Sequence, residues 1–76
     1  PKRDVARRGE ALNLLGTSAI EQGAPERAKR VFEQALALHR AAGNQAGEAS
    51  ALHNLGAVAF HQGNFAEALR FAADHH

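Results

Sequence analysis

The sequence predicts an all-α fold of two antiparallel helical hairpins, and its composition, its apolar spacing and its self-similarity all indicate this. Eighteen of the 76 residues are alanine, the strongest helix former, and only five are β-branched. Small and apolar residues recur at i, i+3, i+4 and i+7, which is the period of an amphipathic helix. The first such stripe comprises Leu12, Leu15, Gly16 and Ala19. The pattern continues through most of the chain, so helices account for nearly all of it.

The chain also repeats itself. A shift of 40 residues makes ten of 36 aligned positions identical, where this composition gives roughly three or four by chance. The identical pairs are Ala6/Ala46, Ala11/Ala51, Leu12/Leu52, Leu15/Leu55, Gly16/Gly56, Ala19/Ala59, Gln22/Gln62, Gly23/Gly63, Ala28/Ala68 and Arg30/Arg70. Because these residues are mostly small or apolar, the repeated feature is a packing scheme rather than a set of reactive groups. We therefore expect a protein that is not an enzyme.

Each repeat is predicted to hold an A helix and a B helix joined by a tight turn. Gly23 and Gly63 end the A helices as left-handed caps, and turns of two or three residues force A and B antiparallel. The predicted helices span residues 4–22, 25–42, 45–62 and 65–74. The chain is then one domain, 1–76, with a first repeat over 4–43 and an incomplete second repeat over 44–76.

The starts of the helices carry their own signals. Asp4 and Asn44 lie 40 residues apart, and each can accept a hydrogen bond from a free amide at the start of an A helix. Pro25 has the backbone angle needed in the first turn of one B helix, and Asn64 is predicted to cap the other.

Two glycines lie in the middle of the A helices, where glycine costs about 1 kcal/mol relative to alanine. Gly16 and Gly56 both fall on the apolar stripe. We expect each to let the backbone of a neighbouring helix approach closely, with Ala28 and Ala68 as the small surfaces that face them.

The order of these residues resembles the tetratricopeptide repeat, a helix-turn-helix unit. The matching residues are Leu12, Leu15-Gly16, Ala19, Gly23, Ala28, Phe32 and Ala35, and the second copy matches until Ala72, which stands where a large aromatic residue is usual. The 40-residue period resembles the long-repeat branch found in kinesin light chains, cell-polarity adaptors and large bacterial transcription regulators linked to an ATPase. The alanine and arginine content is similar to the bacterial kind. The resemblance implies a scaffold that binds a protein or peptide along a groove lined by its A helices.

Candidate groove residues lie on the flank of each A helix that is turned away from its B partner. They are Glu10, Asn13, Thr17, Ile20 and Glu21 in the first repeat, and Ser50, His53, Asn54, Ala57, Phe60 and His61 in the second. Asn54 stands out because an amide can both donate to and accept from the main chain of an extended peptide. Leu14 takes its place in the first repeat, so there is no continuous row of asparagines. The alternative for each residue is an ordinary solvated helix face.

The second repeat has no following helix to cover it. Its last helix carries the apolar residues Phe65, Leu69 and Phe71, and repeat arrays normally need three or more units. We therefore expect self-association into a homo-oligomer. Chain ends could stack, or residues 39–48 could straighten into one rod and exchange helices between copies.

Charge and composition argue against other classes. The net charge is +1, and the one basic cluster, Lys2 with Arg3, Arg7 and Arg8, fits a solvated first turn better than a nucleic-acid site. No apolar run approaches the length of a membrane span, and we expect no signal peptide behind the polar first residues. Cysteine is absent, which fits a reducing compartment, so we expect a cytoplasmic protein. The missing methionine favours a piece excised from a longer chain.

Histidine is the residue type here that could bind a metal. His53 and His61 are eight residues apart on one helix, too far to share an ion, and no carboxylate has the spacing of a helical zinc site. His39 falls at a helix end, and His75 and His76 are interpreted as remnants of a purification tag. The sequence predicts no metal, no cofactor and no catalytic residue.

Overall fold

In the computed structural model the described part of the chain consists of four α-helices. The structure describes residues 2–63 and 65–74, although the side chains of Lys2, Phe65 and Ala68 lie outside that description. The helices are α1 Lys2–Glu21, α2 Pro25–Ala42, α3 Gln45–His61 and α4 Phe65–Asp74. Consecutive helices pack against each other, and α1 also contacts α3. The predicted all-α fold is confirmed, and the helix limits differ from the predicted ones by at most two residues.

The turns follow one plan at both hairpins and at the junction between them. Gly23, Gly43 and Gly63 all have left-handed backbones, with φ of 76°, 69° and 76°. After α1, the Ala24 N–H donates to the Ala19 carbonyl at 2.8 Å, and after α2 the Asn44 N–H donates to the His39 carbonyl at 2.9 Å. These bonds complete the Schellman motif that ends a helix at glycine.

The helix starts agree with the sequence at two positions and differ at one. Pro25 opens α2, and the Asn44 side chain caps α3 by accepting a hydrogen bond from the Gly47 N–H at 3.2 Å. The predicted cap at Asp4 is wrong, because α1 already begins at Lys2 and Asp4 lies inside its first turn. A carboxylate there still interacts favourably with the positive end of the helix dipole. Asn64 lies outside the described residues.

The core joins three helices around the ring of Phe32, which is 1% exposed. Ala19, Ala28, Leu55 and Val58 pack with it. These residues come from α1, α2 and α3, so the second hairpin packs onto the first.

Gly16 makes room for this ring. A Cβ atom added to Gly16 would lie 2.7 Å from both Cδ1 and Cζ of Phe32. The prediction for Gly16 was a neighbouring helix backbone faced by Ala28, and the structure differs from it: the nearest atoms are those of the Phe32 ring. An aromatic ring packed on glycine fills the gap that two small residues would leave open. The predicted partner of Gly56, Ala68, has its side chain outside the described residues.

The junction between the repeats is organised by His39, which is completely buried and not merely placed at a helix end. Its ring lies between two helix backbones, since an added Cβ on Gly9 of α1 would come within 2.6 Å of its Nε2, and one on Gly47 of α3 within 2.5 Å of its Cγ. The Gly47 N–H can only donate, so the Asn44 side-chain atom that accepts from it is the oxygen Oδ1. The other atom, the donor Nδ2, therefore lies 3.2 Å from His39 Nδ1. His39 Nδ1 is therefore the acceptor of that bond.

An ion pair closes the same junction from outside. The Arg40 Nε donates to a carboxylate oxygen of Glu48 at 2.7 Å. Gly43 is left-handed and α2 ends at Ala42, so residues 39–48 form a sharp turn in this structure and not the straight rod needed for helix exchange.

The packing of α1 differs from the prediction at Leu15. This side chain is 59% exposed, whereas its repeat counterpart Leu55 is 1% exposed. The reason is positional: Leu55 is covered by the preceding B helix, α2, and among residues 2–63 and 65–74 no B helix precedes α1. The stripe of the first repeat is therefore only partly used in the core.

Candidate protein-binding groove

The A helices α1 and α3 contact each other and present equivalent rows of side chains. Each row is spaced i, i+4, i+7 and i+11, which places its members along one helix face. The α1 row is Glu10, Leu14, Thr17 and Glu21, and the α3 row is Ser50, Asn54, Ala57 and His61. Asn54 and Ala57 are half-buried and the other six are exposed. We call these two rows together the groove rows.

The structure thus keeps seven of the predicted groove residues on one surface and separates the other four from it. Asn13 and Ile20 lie on the side of α1 nearer the core, and Ile20 packs against the Phe32 cluster. Their repeat counterparts on α3, His53 and Phe60, are exposed, and Phe60 is 64% exposed. These four residues line the flank of the groove rows and not the rows themselves.

Asn13 is notable because its Oδ1 is buried and has no hydrogen-bond partner among the described residues. Its backbone carbonyl accepts a hydrogen bond from the Thr17 hydroxyl at 3.0 Å. A buried acceptor without a partner costs about 1–3 kcal/mol.

Leu14 is a groove-row residue that the sequence reasoning did not select. It is 73% exposed, more than any other large apolar side chain among the described residues. The sequence signal that could have identified Leu14 was its position, 40 residues before the candidate Asn54. An exposed leucine in a row of polar residues offers an apolar contact next to hydrogen-bonding groups.

The two rows differ in charge. The α1 row carries two carboxylates, at Glu10 and Glu21, whereas the α3 row has only His61 as a titratable group. Together with Leu14 and Asn54, the surface offers negative charge, one apolar contact and one amide. Among the described residues no group of three or more histidines or acids could hold a metal ion. None of the described helices is both long and apolar enough to cross a membrane.

The predicted self-association residues on α4 have different environments. Leu69 is 71% exposed, while Phe71 is half-buried and packs against the Phe32 cluster, so the second phenylalanine contributes to the core more than to an open strip. The side chain of Phe65 lies outside the described residues, as do His75 and His76. In the basic cluster, Arg3, Arg7 and Arg8 are exposed.

Two stacked hairpins with matching turns, a glycine-to-ring contact and a 40-residue period define a helical-repeat protein. A family model described as the tetratricopeptide repeat matches residues 7–75. The chain belongs to the tetratricopeptide repeat family, as its sequence indicated. This family generally mediates protein–protein interaction.

Two similar proteins are bacterial regulators. The chain is 38% identical over 72 residues, 95% of its length, to the "Regulatory protein AfsR" of Streptomyces griseus. It is 43% identical over 60 residues, 79% of its length, to the protein of the same name from Streptomyces coelicolor. The chain spans only 7% and 6% of these two relatives. No solved structure matches significantly.

Proposed function

We propose that this chain binds an extended segment of a partner protein along the groove rows of α1 and α3. The observation that carries the proposal is that both A helices leave equivalent rows of side chains unused by the core, with the Asn54 amide in the α3 row. An extended peptide has one N–H and one C=O per residue, which suit an amide that both donates and accepts.

The chemistry of the rows suggests what the segment contains. Glu10 and Glu21 would attract a lysine or arginine side chain, and Leu14 would contact an apolar one. Asn54 would hold the peptide main chain through its amide, which both donates and accepts. A basic segment with one large apolar residue fits this surface best.

The similarity to bacterial regulatory proteins suggests the setting. We propose that the chain acts inside a larger regulator in the cytoplasm, where binding at the groove rows links the regulator to another protein. No enzymatic step and no nucleic-acid contact is assigned to this part of the chain.

A displayed library of random dodecapeptides selected on the chain supplies a probe for the test. The selected peptide is titrated while amide chemical shifts are recorded by NMR. We expect the largest shifts in α1 and α3, and at least tenfold weaker binding for the Asn13→Ala, Asn54→Ala and His53→Ala triple variant. Gln34→Ala is the matched control, because Gln34 is an exposed amide on α2, away from both rows. Shifts confined to α2 and α4 would reject the site, and unchanged binding by the triple variant would remove Asn13, His53 and Asn54 from it.

A second candidate function is supported by a different observation. Leu69 is 71% exposed on the last helix and Leu15 is 59% exposed on the first. Large exposed apolar side chains of this kind favour a segment that associates with copies of itself.

A further inference from the structure

Two buried side-chain atoms have no hydrogen-bond partner among residues 2–63 and 65–74, and both lie where α1 packs against α2. They are Oδ1 of Asn13 and Nε2 of His39. Asn13 falls between Gly9 and Gly16 on α1, and these two glycines contact the rings of His39 and Phe32 on α2. Residues spaced in this way share one face of a helix. The two unpartnered atoms therefore belong to the same contact between helices.

The two atoms have complementary hydrogen-bonding roles. His39 Nδ1 accepts from the Asn44 Nδ2 at 3.2 Å, so the proton of the neutral ring lies on Nε2. Nε2 is then a donor, and the Oδ1 of Asn13 can only accept. The residue His39 is completely buried, so its N–H cannot reach bulk water. Folding takes both groups out of water, and a shared partner would satisfy both at once.

Helix geometry brings the two atoms towards each other. His39 Nε2 lies 2.6 Å from the position that a Cβ atom on Gly9 would take. Asn13 is four residues further along α1, so its own Cβ is about 5–6 Å from that position. Helical side chains lean towards the N-terminus of their helix, which places the Asn13 amide over the turn that contains Gly9. No direct bond joins Asn13 to His39, and two hydrogen bonds through one water span about 5 Å.

We propose that His39 and Asn13 hold one buried water molecule, which accepts from the His39 Nε2–H and donates to the Asn13 Oδ1. Internal waters commonly satisfy buried polar atoms in this way. The water completes a chain that starts where the Gly47 N–H donates to Asn44 and continues where Asn44 donates to His39. Since Gly47 is on α3, His39 on α2 and Asn13 on α1, the chain links three helices across the junction between the repeats.

This inference goes beyond binding at the groove rows and does not depend on it. The backbone carbonyl of Asn13 already accepts from the Thr17 hydroxyl at 3.0 Å, so that hydroxyl is used elsewhere. The buried water gives the Asn13 side chain an internal role on the flank of the groove rows. Asn13 then acts as a positioning residue that fixes α1 to the junction.

NMR on the isotope-labelled wild-type chain tests the site directly. We expect a long-range proton–nitrogen correlation spectrum to show the His39 ring protonated at Nε2. This proton should exchange slowly enough to be observed, and it should show a nuclear Overhauser contact with a long-lived water. The matched control is His53, which is exposed on α3, so its ring proton should exchange too fast to be observed.

A double-mutant cycle tests whether Asn13 and His39 share the bridge. Asn13→Leu removes the acceptor at similar volume, and His39→Phe keeps a ring but removes both nitrogens. In the wild-type background Asn13→Leu leaves the Nε2–H without an acceptor, whereas in the His39→Phe background it removes an acceptor that has already lost its donor. The folding equilibrium constant from urea unfolding should therefore fall at least about fivefold more on Asn13→Leu in the wild-type background. Gln34→Leu, at an exposed amide of α2, should have the same effect in both backgrounds.

Three results would each overturn the proposal. The His39 ring could carry its proton on Nδ1, the Nε2 proton could show no contact with water, or the effects of Asn13→Leu and His39→Phe could be additive within about twofold. If His39→Phe does not fold, the NMR measurements on the wild-type chain decide alone. Binding at the groove rows is measured separately by the peptide titration, and its failure would leave the His39 spectrum unchanged.

Discussion

The contact between Gly16 and the Phe32 ring leads to a prediction in which two known effects oppose each other. Gly16→Ala replaces a mid-helix glycine, which on helix propensity alone should stabilise the protein by about 1 kcal/mol. The new Cβ atom, however, would lie 2.7 Å from Cδ1 and Cζ of Phe32, about 1 Å closer than an ordinary carbon–carbon contact. The ring is 1% exposed, so it cannot swing into solvent to make room.

Overpacking of this kind costs about 1–3 kcal/mol, and the clash is severe enough to place this case near the upper limit. We therefore expect a net loss of about 1–2 kcal/mol from a total stability of roughly 4–11 kcal/mol for a chain of this size. In a domain this small that loss lowers Tm by about 5–15 °C. Gly16→Leu should be worse, because three more carbon atoms must fit the same space.

Urea and thermal unfolding, followed by circular dichroism, measure the effect. Ser18→Ala is the matched control, since it improves helix propensity at an exposed site of the same helix and should stabilise by a few tenths of a kcal/mol. Combining Gly16→Ala with Phe32→Leu should cost at least about 1 kcal/mol less than the sum of the two single changes. A Gly16→Ala variant that melts at or above the wild-type temperature would show that the reasoning from the ring contact is wrong.

Three further changes have calculable outcomes. Asn44→Ala removes the cap of α3 and the donor to His39, so we expect a loss of about 1–2 kcal/mol in urea unfolding; Asn44→Ser keeps the cap and should lose about half as much, and a serine variant as stable as the wild type would exclude a role for the His39 bond. A Cβ atom added at Gly23 would have no other atom within 4 Å, so the expected loss of stability of about 1–2 kcal/mol in Gly23→Ala comes from the left-handed backbone alone. Gly23→Asn should lose less, and an unchanged Tm for the alanine variant would contradict this. Lys29→Gln breaks the partly exposed ion pair with Glu67 and should cost less than about 1 kcal/mol; the loss should shrink at high salt, and a salt-independent loss would point to packing instead.

The helices and turns were predictable because their signals are local. Pro25, the glycines at the turns and the period of the apolar residues act within a few positions of themselves, and the predicted limits of α2 and α4 agree with the structure. The cap at Asp4 failed because a polar residue near a chain end can equally lie inside the first turn. Repeat symmetry suggested a matching pair of caps there, but the structure realises only the one at Asn44.

The environments of individual side chains were harder to predict because they depend on the neighbouring repeat. Leu15 and Leu55 are identical in type and spacing, and only the presence of α2 over one of them makes their burial differ. His39 looked like a residue at a helix end, and its burial depends on Gly9 and Gly47, which approach from two other helices. The groove rows were predicted in part. Helical spacing shows which residues share a face of α1, but it does not show which side of α1 packs against α3.

The left-handed glycines at positions 23, 43 and 63 fall at intervals of twenty residues, and they end the A helices and α2 in the same way. If forty residues are deleted or duplicated, starting at any position, the new junction joins each helix or turn to the equivalent position of the next repeat. An array of such units could therefore gain or lose a member by genetic recombination without requiring a new junction. A chain punctuated in this manner can change its length over evolution while every remaining helix keeps its neighbours.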